Sequence, residues 1–215
     1  MQDNTNSSQS YLEKQEEIYK HAYISIALLV INVIVFLLST TAMGWMYEEG
    51  VMNTELVLSK GQCHRLFSAM LLHVDVKHLF NNMILLALAG AIVENYTGHM
   101  FYILLYILSG FFGNLVSMAY ELKNNLHRTS VGASGAIMGL VGFIVVWIIV
   151  NRKTFVKNRS ILFRLVLLAV FVIQACFFQE GANIAAHLGG FVSGFVLGVI
   201  NIVLLKNNKN MEGLA

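Results

Sequence analysis

The chain contains no proline, so no helix kink in it can be assigned to that residue. It is also short of charge. Lysine, arginine, aspartate and glutamate make up 12% of its 215 residues, against roughly 25% in soluble domains. With 57% hydrophobic residues, too little polar surface remains to coat a soluble globule. The composition points first to a polytopic membrane protein. The net charge of +2 is small and scattered, which argues against nucleic acid as a partner. Two cysteines are present, Cys63 in a polar loop and Cys176 in an apolar segment, a placement that argues against a disulfide. No H-E-x-x-H run exists, so the zinc-protease signature is missing. Aspartate occurs only at Asp3 and Asp75, both outside apolar runs, which excludes a pair of membrane aspartates. No cofactor or metal site is legible.

What the chain does have is long apolar runs. Residues 1–22 are polar and acidic in places (Glu13, Glu16, Glu17), unlike a secretory signal. Apolar stretches then suggest six spans: Tyr23–Met43, His78–Val93, Met100–Tyr120, Gly132–Val150, Ile161–Phe178 and Ile184–Leu205, most near the roughly 20 residues a bilayer requires. Trp45 and Tyr47 suit an interfacial position. Residues 44–77 read as a long mixed loop that lies in the interface. The expected organisation is a cytoplasmic polar tail over 1–22, a membrane domain over 23–205 and a cytoplasmic tail over 206–215. Six spans put both termini and the basic 151–160 loop on one side, with nine lysines and arginines there against five opposite. That bias predicts cytoplasmic termini.

The second, fourth and sixth spans run in the same direction, and each carries polar residues near its outer end. These are His78, Asn81 and Asn82, then Ser134, then His187. Lipid offers such groups no partner, so they must face the protein interior or a wet cavity. Glycines mark close approach: Gly135, Gly139 and Gly142 on the fourth span, and Gly190, Gly194 and Gly198 on the sixth. Small residues four apart let helix backbones come near each other. A serine hydroxyl can then reach an imidazole at about 2.6–3.2 Å. Each feature alone has a plainer reading. Glycine stripes are more often packing, a membrane serine can bond back to its own helix, and asparagines can be interhelical glue. Their coincidence at one depth points to a site.

The residues His73-x4-His78-x3-Asn82, Glu94-x3-Gly98, Gly132-Ala133-Ser134-Gly135-Ala136-x2-Gly139 and Ala186-His187-x2-Gly190-x3-Gly194 resemble the motifs of the rhomboid intramembrane serine proteases, over roughly residues 60–200. The resemblance implies an all-α membrane protein, a six-transmembrane-helix rhomboid-like bundle with a cavity open to the outer face. It implies Ser134 as nucleophile and His187 as general base, with no carboxylate in the outer half of the sixth span to orient the base. His78 and Asn82 would stabilise the oxyanion, together with the Ser134 backbone N–H. Gly132 would let the backbone approach the scissile carbonyl, and Gly135, Gly139, Gly190 and Gly194 would support the packing. His73 is given no catalytic role, and Asn81 is read as packing support. Two positions depart from the family pattern. His64-Arg65 stands where Trp-Arg is usual, and Met138 replaces an aromatic residue that packs on the catalytic imidazole. The implied partners are transmembrane protein substrates and the lipid bilayer, with no nucleic acid and no metal. Compact loops, with no appended folded domain or organelle-targeting segment read in the sequence, lead to the expectation of a bacterial-type plasma membrane. The rival reading is a non-catalytic rhomboid-like membrane client-binding protein. Members of that kind typically lack the serine or the histidine, and both are present here.

Overall fold

The computed structural model describes residues 13, 15–152, 159–178, 181–209 and 211. Most of the expected basic loop, part of the 179–183 connection, most of residues 1–14 and most of the last six residues lie outside that set, as do the side chains of Arg164 and Cys176. In chain order the helices are α1 (Tyr23–Thr41), α2 (Gly44–Gly50), α3 (Thr54–Lys60), α4 (Arg65–Ser68), α5 (Val76–Thr97), α6 (His99–Asn124), α7 (Ser134–Val150), α8 (Arg159–Phe177) and α9 (Ile184–Leu204). Strand β1 (Met52–Asn53) precedes α3, and β2 (Thr129–Ser130) precedes α7.

Four of these helices, α1, α5, α6 and α9, are long and apolar enough to cross a bilayer. In hydrocarbon the backbone must satisfy its own hydrogen bonds, and a helix does so within one segment. The outward faces carry bare apolar side chains such as Leu37, Phe163 and Val192, as lipid contact requires. The chain is a multi-pass integral membrane protein. The shorter apolar helices are α7, with 17 residues, and the Leu165–Gln174 stretch of α8. Shortness in α7 follows from its place in the molecule. Ala136, Ile137, Leu140, Phe143 and Trp147 are all fully buried, so it is a core helix, apolar all round. It packs chiefly against α9 and α6.

The α7–α9 contact is made by backbone. A Cβ on Gly190 would strike the carbonyl of Gly135, and one on Gly194 would strike the carbonyl of Gly139. A Cβ on Gly142 would meet the backbone of Phe191. The two helices can touch this closely only because these positions carry no side chain.

The stretch expected as a long loop is instead built of α2, β1, α3 and α4, closed by a 3-10 turn at Ala69–Leu71. Elements this short carry too little periodicity to be seen in sequence. Arg65 organises them. It is 2% exposed, and its guanidinium donates to the carbonyls of Glu48 and Val51 at 2.9 Å and to Gln62 Oε1 at 2.7 Å. A planar fork of fixed donors suits that arrangement. Met52, Val57, Leu66 and Ala69 form a small second core against Phe111, Leu115 and Met118 of α6. Strands β1 and β2 pair antiparallel, Met52 with Ser130 and Asn53 with Thr129. This is the one departure from the expected all-α class among the described residues. A two-residue pair leaves no alternating pattern, and tertiary contact creates it.

At the opposite end, Glu94 lies inside α5 rather than in the turn expected after Val93. Its buried carboxylate accepts the backbone N–H groups of Ile24 and Ser25 and the Ser25 hydroxyl at 2.7–2.8 Å. It thereby caps α1, which has no side-chain cap of its own. The chain turns at Gly98 (φ +80°) and continues as α6. Residues after Leu204 fold back on this end. Trp147 Nε1 donates to the Lys209 carbonyl at 3.1 Å and the Tyr96 hydroxyl donates to that of Asn207.

Candidate active site

Three helix starts meet near the β2 end of the bundle. Asp75 caps α5 by accepting the His78 N–H at 2.7 Å. Asn183 caps α9 by accepting the Ala186 N–H at 3.0 Å. The start of α7 has no side-chain cap. Its first N–H groups keep their hydrogen-bonding capacity and the positive end of the helix dipole. Ser134 is its first residue.

Between these starts lies a cavity of about 350 Å³, bordered by His78, Asn82, Ser134 and His187 from three different helices. His187 sits one turn into α9, 3% exposed, with its N–H on the Asn183 carbonyl at 3.0 Å. Its Nε2 is 2.7 Å from Ser134 Oγ. In the neutral tautomer protonated at Nδ1, the hydroxyl donates to Nε2, the pairing a serine needs to become a nucleophile. The contact depends on the packing beneath it, because the Gly135–Gly190 approach lies next to both residues.

His78 borders the same cavity, and its ring faces Gly132. A Cβ on Gly132 would come within 2.8 Å of His78 Nε2. Gly132 also has φ +127°, a region that side-chain-bearing residues avoid. Its N–H donates to the Ala69 carbonyl at 2.9 Å. Gly132 therefore does two jobs that no other residue could do there: it turns the chain into α7 and leaves room for the imidazole. Asn82 is buried, and its Nδ2 donates to the His78 carbonyl at 3.0 Å within its own helix. The amide carries two N–H groups, and one such bond leaves the second for the cavity.

His73 lies outside the cavity lining. It is fully buried, its ring edge-on to that of His78 with centroids 5.0 Å apart. Burial, reinforced by the neighbouring His78, holds its pKa down at about 3, so it is neutral at physiological pH. Asn81, expected as packing support, borders the cavity instead. Gly139 lies against Ser109 of α6, where a Cβ would strike the serine side chain. Met138 is buried and lines an apolar groove shared with α8 and Leu188.

One residue that sequence reasoning did not single out is Asn183. Besides capping α9, it donates from Nδ2 to the buried Ser117 hydroxyl on α6 at 2.7 Å. The signal was present: an asparagine directly before an apolar run is a helix-start signature. Replacing Asn183 with alanine removes both bonds at the start of the helix that carries His187. The expected cost is about 1 kcal/mol of stability, read as a lower unfolding midpoint in detergent. Asn183→Ser keeps a capping oxygen and should recover most of the loss. Equal losses in the two variants would show that the cap is not what matters.

Comparison with known proteins identifies the family. The family model described as the Rhomboid domain matches residues 60–203. RHOMBOID-like protein 5 of Arabidopsis thaliana is 36% identical over 151 residues, covering 70% of this chain and 48% of the relative. RHOMBOID-like protein 1 of the same plant is 33% identical over 154 residues, covering 72% and 38%. The Putative rhomboid protease YdcA of Bacillus subtilis is 28% identical over 176 residues, covering 77% and 86%. The chain thus spans less than half the length of these plant relatives. The matched region covers more than half of the chain and holds all three helix starts, and on the ground of that match the chain belongs to the rhomboid family.

Proposed function

We propose that the protein is an intramembrane serine endopeptidase that cleaves transmembrane segments of single-pass membrane proteins. The observation that carries this reading is the 2.7 Å approach of Ser134 Oγ to His187 Nε2, beside an uncapped helix start. The Ser134 oxygen attacks the scissile carbonyl while neutral His187 accepts its proton. Charge then develops on the carbonyl oxygen. The Ser134 N–H, the free N–H of Asn82 and the His78 ring are arranged to receive it, and each such donor contributes roughly 2.7–4 kcal/mol in sites of this type. His187 returns the proton to the leaving amine, which departs and leaves an acyl-serine. Water, deprotonated by the same imidazole, releases the acid and restores the hydroxyl.

A helical peptide bond is hydrogen-bonded and shielded, so substrates are segments that unwind readily. In this reading α7 and α8 also cross the membrane, giving a six-helix bundle over residues 23–205. The flanking tails and both termini face the cytoplasm, following the lysine and arginine bias. The compact connections between the spans favour a bacterial-type plasma membrane.

The alternative is a non-catalytic client binder of the same fold. A fluorophosphonate probe separates the two. Purified protein in detergent should form a covalent adduct that maps to Ser134 and vanishes in Ser134→Ala. A folded protein that takes no adduct would refute the protease reading and leave the client binder.

A further inference from the structure

A second cavity, of about 400 Å³, opens beside the first between the outer ends of α6 and α9. The two share a rim made of Thr129, Ser130, Gly181, Ala182 and Asn183. That shared rim is the ground for extending a peptide bound at the Ser134–His187 pair into the second cavity.

Glu121 of α6 borders this cavity and also a third one, of about 320 Å³, on its other side. Among the described residues its surroundings supply no ion-pair partner. It is 5% exposed, and it sits in the last turn of α6, where the helix dipole is negative. Oε2 accepts the Thr54 hydroxyl at 2.6 Å. No lysine, arginine or histidine among the described residues forms an ion pair with it, whereas Glu49 has one with Arg65. Arg128 lines both cavities but is solvent-exposed, where water and salt screen its charge. A buried charge left without a counter-charge is costly, and one that borders open space marks a place for a ligand.

We propose that Glu121 is the counter-charge for a basic side chain of the substrate, held in the second cavity while the scissile bond lies at Ser134. Glu121 thereby selects substrates with a lysine or arginine in the segment just outside the membrane. This rests on the protease reading above. The cation enters a site that already holds its partner, so binding the wrong charge leaves two like charges facing in a poorly hydrated space. Selection of this kind works as much by rejecting acidic segments as by holding basic ones.

The test is a scan on one reporter substrate in liposomes. Lysine, methionine and glutamate are placed in turn at each position outside the membrane near the scissile bond. Lysine should raise kcat/KM about tenfold or more over glutamate at one or two adjacent positions. That preference should collapse in Glu121→Gln, whose amide oxygen still accepts the Thr54 hydroxyl, so that the lysine and glutamate substrates are cut at rates within about twofold of each other. A flat scan in the unmodified enzyme overturns the proposal without any variant, and so does a preference that survives Glu121→Gln. If no substrate is cut and Ser134 takes no fluorophosphonate, the protease reading fails and this one falls with it. If Ser134 labels and all substrates are cut alike, only the Glu121 site is lost.

Discussion

Ser134→Ala and His187→Ala should each lower cleavage of a transmembrane reporter in liposomes by about 10⁴-fold or more, with unfolding midpoints close to the unmodified protein. The reason is the pairing itself. The hydroxyl is a weak nucleophile until the imidazole takes its proton, and the imidazole has nothing to activate without the hydroxyl. Two residues that act as one unit give losses that do not add, so the double variant should be no slower than either single one. Asn82→Ala is expected to cost less, about 10²–10³-fold, because it removes one donor among several. The measurement is single-substrate kinetics beside a thermal or denaturant unfolding curve. Normal cleavage by either alanine variant, in protein shown to be folded, would remove the proposed mechanism.

Gly194→Val should cost more stability than Asn183→Ala or any of the alanine variants at the Ser134–His187 site. The Cβ alone collides with the Gly139 backbone, and backbone cannot rotate away as a side chain can. Overpacking a core costs typically 1–3 kcal/mol when side chains can adjust, so the loss at Gly194 is expected to be at least about 3 kcal/mol. Protein that still folds must hold α9 further from α7. His187 rides on α9, and a displacement of about 1 Å at a reacting pair is enough for a 10²-fold loss of rate. Stability and activity should therefore fall together. Gly194→Ala should be intermediate on both. Gly44→Ala is the control, since a Cβ there meets nothing within 4 Å and the position lies at the start of α2. An unfolding midpoint for Gly194→Val within error of the unmodified protein would show that the two helices are not held by this contact.

Much of the site was legible because membrane chemistry leaves few options. A serine, two histidines and an asparagine in apolar runs cannot face lipid, and glycines four apart announce a close helix contact. Both arguments need only the letters. The structure brings Ser134, His187, His78 and Asn82 to one cavity. The first long loop was not legible. Its short helices are fixed by a buried guanidinium bonding to carbonyls 14 and 17 residues away in sequence, which no local pattern announces. Glu94 was misplaced for a related reason. Its partners, Ile24 and Ser25, lie 70 and 69 residues back along the chain, so nothing nearby marks it as a helix cap. Asn183 was legible by its cap position, but its hydrogen bond to Ser117 was not.

The sequence alone determined that this chain lives in a membrane, which residues could not face lipid, and where helices could touch. Those follow from transfer free energy and from the size of single side chains, properties that belong to each residue wherever it sits. Only the tertiary structure decided that the start of α7 is left uncapped beside Ser134, that Glu121 is buried without a cation among the described residues, and that two cavities share one rim. These depend on which groups meet across long stretches of chain, and such meetings are set by the packing of the whole bundle.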